Sequence, residues 1–201
     1  MDHLSKGERT RQQLLKNAAY LFNINGIAGT SVDDILKASG VHRGSLYSQF
    51  TNKEDLVYAC TDYLLNELTR HITMAINREK SAVGKIFAFL ELNRNPLSPF
   101  IQGGNPILNL SLSADEFTAT IQEKIKKVLL NYSRMFNEIL SSGVLSGELS
   151  ADLSIENYSL KMCCTIQGAI AYCSIVQSNL PMHQLVDSLR KELLTYNLRY
   201  E

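Results

Sequence analysis

Apolar residues recur along this chain with a period near 3.6 and never in sustained alternation, which predicts helices throughout and no sheet. Leu14, Leu15, Ala18, Leu21 and Phe22 form one stripe of a first helix over about 6–25. Gly26 follows where a C-terminal capping glycine is expected. A second helix opens after Ser31, whose hydroxyl can accept from the free N–H groups of the first turn. Asp34, three residues on, makes a near capping box. This helix carries Val32, Ile35, Leu36 and Ala38 and stops at Gly40. A short third helix is expected over about 42–49. Asn52 then caps a fourth that runs to about 77, with Asp55 as its box partner.

The remaining pattern is of longer helices with clear breaks. One is expected over 81–93. The stretch NPLSPFIQGGNP at 95–106 holds three of the four prolines and two glycines, and reads as a loop or broken helix. A long amphipathic helix over 114–142 should end at Gly143, followed by a turn region at 143–154. Two last helices, 155–178 and 182–197, are separated by Pro181. No internal repeat or low-complexity segment interrupts the series.

The chain has 201 residues, enough for one domain or two small ones at about 100–200 residues each. The formal net charge is zero, so any attraction to nucleic acid must be local. Residues 6–16 supply it: Lys6, Arg9, Arg11 and Lys16 stand against Glu8 alone, a basic start that can approach a DNA backbone or minor groove. The polar, charged N-terminus is not a secretory signal, and no apolar run approaches the roughly 18 residues of a membrane span. Cys60, Cys163, Cys164 and Cys173 form no CxxC pair and no metal-like spacing with the four histidines, which predicts free thiols in a reducing cytoplasm and no metal site. No nucleophile–base constellation and no Gly-rich phosphate loop is found, so neither an enzyme nor a cofactor is expected.

The stretch GVHRGSLYSQFTNKEDL at 40–56 carries the most specific chemistry. Two helices joined at Gly40, the second short and polar on one side, make a helix-turn-helix whose second helix enters a major groove. Arg43, Gly44 and Ser45 occupy the end that faces DNA. The planar fork of Arg43 suits guanine O6 and N7, a pairing worth about 1–3 kcal/mol of discrimination, and Gly44 permits close approach. Leu46 and Phe50, four apart, share the inner face. Tyr47 can send its hydroxyl to a phosphate, and Lys53 sits in the first turn of the fourth helix, where an anion is already favoured. Tyr47 alone suits a core equally well, and Lys53 alone is a solvated lysine. The ordered set within a helix-turn-helix points to DNA. His42 reads as a cap or surface residue.

TSVDDILKASGVHRGSLYSQFTNKEDL resembles the N-terminal signature of TetR/AcrR-family transcription regulators, and LLKNAAYLFNINGIAGTS resembles that family's first helix and turn. The resemblance covers about residues 8–60. It implies an all-α protein with a three-helix DNA-binding domain at 1–52, a linking helix at about 52–77, and a helical effector-binding and dimerisation domain at 78–201. By position, Thr30, Tyr47 and Lys53 match the family's phosphate contacts, and His42, Arg43, Ser45, Ser48 and Gln49 its groove-facing positions. Gln49 departs from the His of many members, and His42 from a small capping residue. The implied protein is a cytoplasmic homodimer that represses from a palindromic double-stranded operator and is released by a small-molecule effector.

In the second half, GGNPILNLSLSADEF at 103–117 resembles a segment of one branch of that family. There a Cys that can sense electrophiles or oxidants often stands where this chain has Asn105, so that chemistry is not carried at this position. A thiol sensor at Cys163, Cys164 or Cys173 on the same scaffold is the alternative, although a reactive thiol needs an electropositive, accessible setting and burial is the simpler reading. Effector contacts are expected among Asn105, Asn109, Tyr132, Met135, Phe136, Gln167 and Tyr172, each of which also suits ordinary packing. Gly168, Ala169 and Ala171, with Leu185, Leu189 and Leu193, suit a dimer interface through about 155–197. An intramolecular core fits the same periodicity.

Overall fold

The computed structural model of the chain describes residues 5–111 and 118–198. Among these the chain forms nine helices and no strand: α1 (Lys6–Asn25), α2 (Val32–Ser39), α3 (Arg43–Tyr47), α4 (Lys53–Ile76), α5 (Ala82–Leu92), α6 (Pro106–Ser111), α7 (Thr118–Leu145), α8 (Ile155–Val176) and α9 (Leu180–Leu194). They group into two compact units. The first comprises Met1–Leu68 and Phe100–Lys126, the second Thr69–Pro99 and Lys127–Glu201. The segment 100–126, expected with the C-terminal half, thus belongs to the compact unit of the helix-turn-helix.

Local side chains set the helix ends in the first unit. Ser5 and Glu8 form a full capping box on α1, with the Ser5 amide donating to Glu8 at 2.7 Å. Ser31 and Asp34 do the same for α2. Asn52 Oδ1 accepts from the Asp55 amide at 2.8 Å, but the Asp55 carboxylate reaches back to the Thr51 amide, one residue before the expected partner. The α1 stripe is inward as expected, with Leu14, Ala18 and Phe22 buried. Gln13 Nε2 donates to the Ser39 carbonyl at 2.7 Å and ties α1 to the end of α2.

A short helix, α6, follows the Pro/Gly stretch, and it packs on α1. Asn23 is 3% exposed, and its amide donates to the carbonyls of Gln102 (2.8 Å) and Gly104 (3.1 Å). In return, Asn109 Nδ2 lies 2.9 Å from the Asn23 carbonyl and 2.8 Å from that of Gly103. Gly103 has φ +91°, and a Cβ there would stand 2.9 Å from the Asn23 amide nitrogen. Both its backbone sign and this close approach require glycine.

In the second unit, Phe136 is fully buried, its ring 4.6 Å from that of Phe89 and 6.4 Å from that of Tyr132. Tyr158 on α8 donates to the Leu189 carbonyl of α9 at 2.9 Å. Leu189 and Leu193, expected at a dimer interface, are buried in this unit's own core. Two helix ends differ from expectation. Gly143 does not stop α7, which runs on to Leu145. A Cβ at Gly143 would lie 2.7 Å from Ala82 Cβ and from Leu149 Cδ1, so close packing accounts for the glycine, and the turn falls to Gly147 at φ +67°. Pro181 does not precede α9 but lies in its first turn, where its missing N–H leaves no hydrogen bond unmade. By length and composition alone α8 is apolar enough to cross a membrane, although Asn157, Ser159, Lys161, Thr165 and Gln167 break it into the short apolar runs expected from the sequence. It has only two charges, Glu156 and Lys161, and one face is buried by Met162, Ile166, Ala169 and Cys173.

Glu148 is a buried acid of this unit, 5% exposed, and its two carboxylate oxygens accept from the Ala82 and Val83 amides at 2.9 Å each. It therefore neutralises the free N–H groups at the start of α5, where the helix dipole favours negative charge. Glu148→Ala should lower unfolding stability by about 1–3 kcal/mol, read by urea denaturation, because both amides lose their acceptor. Unchanged stability would mean that water replaces the carboxylate at no cost.

Candidate nucleic-acid interface

The short helix α3 has five residues, and its two sides separate as the sequence predicts. Leu46 and Phe50 are buried, while Tyr47 is 50% exposed. The inner face is braced from α1, where the Arg11 guanidinium lies 4.5 Å from the Phe50 ring centre. Arg11 thus stacks within the motif, a role its place in the basic N-terminal run did not announce. Gly40, in the left-handed region at φ +65°, turns the chain sharply between α2 and α3.

His42, Arg43, Gly44, Ser48 and Lys53 are exposed, and Ser45 and Gln49 are half-buried. His42 is the N-cap of α3 without a side-chain hydrogen bond, and its carbonyl accepts from the Ser45 amide at 2.9 Å. Ser48 Oγ donates to the Ser45 carbonyl at 2.8 Å. At Gly44 an added Cβ would meet nothing within 4 Å. Among the described residues no neighbour therefore demands a glycine in this helix, where it costs roughly 0.5–1 kcal/mol relative to Ala. The absence of a side chain leaves room for something outside. Arg43 donates through Nη2 to Asp33 Oδ1 on α2, an ion pair ten residues apart that no periodicity signals. Lys53 opens α4, followed by Glu54 and Asp55 in the same first turn.

Thr30 stands apart from this set. Expected at the phosphates, it is 1% exposed, and its hydroxyl donates to the Gly26 carbonyl at 2.8 Å. It closes the turn after α1 and does not present its hydroxyl outward.

Of the residues singled out for an effector, Asn105 and Asn109 belong to the first unit and the other five to the second. Asn105 Oδ1 accepts from the Ile107 amide at 2.9 Å at the start of α6, and Asn109 is engaged with Asn23. Tyr132 and Phe136 are buried and Met135 and Gln167 half-buried, whereas Tyr172 is exposed. Tyr132 Oη is 3.1 Å from Thr69 Oγ1, and burial pushes its phenol up to about 12. Gln167 Oε1 is buried without a hydrogen-bond partner among the described residues. The last residues of GGNPILNLSLSADEF, and the expected helix start at 114–117, lie outside the described residues.

Cys60 and Cys173 are buried, Cys163 is half-buried and Cys164 exposed. Burial raises the Cys60 thiol well above its ordinary range and pushes Cys163 up to about 12, with neighbouring Cys164 adding to the shift. Among the described residues no cluster of His, Cys, Asp and Glu could hold a metal.

Two family models match the chain. Residues 14–60 match bacterial regulatory proteins of the tetR family, and residues 82–189 match the tetracyclin repressor-like C-terminal domain. The chain belongs to the TetR family. Among TetR-family relatives, it is 27% identical over 169 residues to the HTH-type transcriptional regulator TtgR of Pseudomonas putida, a match that spans 82% of this chain and 80% of that protein. A TetR transcriptional regulator from Chloroflexus aurantiacus shares its fold with a TM-score of 0.89 at 27% identity, over 96% of this chain and 98% of that one. CifR, a TetR-family regulator solved with 26 bp of double-strand operator DNA, shares the fold at a TM-score of 0.76 and 18% identity, over 95% of this chain and 97% of that one.

Proposed function

We propose that this TetR-family regulator is a cytoplasmic, dimeric transcriptional repressor that binds a roughly palindromic double-stranded operator and leaves it when a small molecule binds. The observation that carries the reading is the two-sided short helix. Arg43, Gly44 and Tyr47 lie outside with Lys53, while Leu46 and Phe50 anchor the helix within. Residues 1–52 with the linking helix to about 77 would carry DNA binding, and 78–201 effector binding and dimerisation. The wild-type protein, mixed with a random double-stranded DNA library, should enrich a two-fold symmetric sequence with half-sites about 10–10.5 bp apart. Enrichment of no sequence would overturn the DNA assignment, and a single asymmetric site would overturn the dimer.

The dimer is supported by the outer face of α8 and α9. Leu160, Tyr172, Ile175, Val176 and Leu180 are exposed there, Ile175 by 82%. Gly168 lies in the same helix, and a Cβ on it would meet nothing within 4 Å, which leaves space for a second backbone. An Ile175→Asp variant should sediment as a monomer where the wild type sediments as a dimer, because a charge in a buried apolar interface costs several kcal/mol, on the order of the whole surplus that holds many pairs together. A variant that stays dimeric at low micromolar concentration would place the interface elsewhere.

Gln167 supports the effector. Its buried carbonyl oxygen has no partner among the described residues, and a buried acceptor of that kind is what a ligand's donor would satisfy. An effector releases the operator only as far as it binds the two states unequally, so derepression is a shift in populations.

A further inference from the structure

We infer that Asp33 is a specificity-determining residue, holding the guanidinium of Arg43 in position to read a base. The inference rests on the DNA-binding reading above. Asp33 is the second residue of α2 and Arg43 the first of α3, and the turn through Gly40 brings the two together. Arg43 Nη2 donates to Asp33 Oδ1. Asp33 has no part in the cap of its own helix, which uses Ser31 and Asp34. Both partners are exposed, and exposed pairs contribute little to stability. The pair instead sits at the tip of the helix that would enter the groove.

Two physical consequences favour discrimination. A guanidinium presents five N–H donors in one plane, so a carboxylate on Nη2 leaves other donors for guanine. It also fixes the plane in advance, so less side-chain freedom is lost on binding. The second consequence is electrostatic. Asp33 offsets a cation that would otherwise attract the phosphates of any sequence, while leaving its directional hydrogen bonds in place. Together these effects lower non-specific affinity and preserve specific affinity.

The test uses the full-length protein and the duplex that wild type enriches from a random library, with a scrambled duplex as reference. Asp33→Ala should bind the scrambled duplex at least as well as wild type and the enriched duplex more weakly. The ratio of the two affinities should fall by about tenfold, the scale of one bidentate base contact. Arg43→Ala should give a similar fall, and the double variant should be no worse than Arg43→Ala alone. Asp33→Glu should recover most of the ratio, and all variants should melt at the wild-type temperature. The inference fails if Asp33→Ala keeps the wild-type ratio, or if the losses from Asp33→Ala and Arg43→Ala add in full. If wild type enriches no sequence, the DNA-binding reading itself has failed and this inference goes with it.

Discussion

A Tyr47→Ala, Lys53→Ala double variant is expected to lose at least about a hundredfold in operator affinity while melting at the wild-type temperature. Tyr47 is half exposed and Lys53 exposed, so neither removal opens a cavity. Each would contribute a hydrogen bond to a charged phosphate, worth about 1.5–3 kcal/mol where it is well formed. In a two-fold complex each substitution acts twice. Even at half the lower figure, four lost contacts still reach the hundredfold mark. Salt gives an independent check. Losing one lysine–phosphate contact per half-site should flatten the plot of log affinity against log salt by about 2. Unchanged affinity with an unchanged slope would remove both residues from the interface. A fall of several degrees in melting temperature would show instead that the two side chains support the fold.

Phe136→Ala should produce the largest loss of stability, about 3–5 kcal/mol. Phe136 is fully buried with ring partners at 4.6 and 6.4 Å, so truncation removes apolar contact and leaves a cavity walled by Phe89 and Tyr132. Tyr132 is not free to collapse fully into the space, because its hydroxyl is held at Thr69. Urea denaturation should show a lower midpoint at an unchanged slope. Tyr132→Phe serves as the comparison. It keeps the ring and loses only the hydroxyl contact, so about 0.5–1.5 kcal/mol is expected. A Phe136→Ala loss no larger than that would mean that the core refills the cavity.

What the sequence disclosed was what local chemistry determines. Ser31 with Asp34, the Asn52 side chain with the Asp55 amide, and the spacing of Leu46 and Phe50 each act within a few residues, and each is readable without a fold. Gly143 was misread because its role depends on Ala82 and Leu149, and a glycine needed for contact looks the same in sequence as one that ends a helix. Pro181 was misplaced because the first turn of a helix tolerates proline as well as the loop before it does. Thr30 matched a phosphate contact by position, yet the turn after α1 consumes its hydroxyl. Asp33 drew no notice beside Arg43, since nothing in a ten-residue separation shows that Gly40 folds one toward the other. Nothing in the sequence tells Asn109, which is committed to Asn23, from Gln167, whose carbonyl oxygen has no partner among the described residues.

The amide exchange between Asn23 and Asn109 bears on how this protein can be cut and rejoined. A fragment that stops after α4 would strip the loop carbonyls of Gln102 and Gly104 from Asn23 and uncover a flank of α1 normally hidden by α6. Chimeras that transplant the DNA-reading head onto another regulator's body therefore need to carry residues 100–111 along with it.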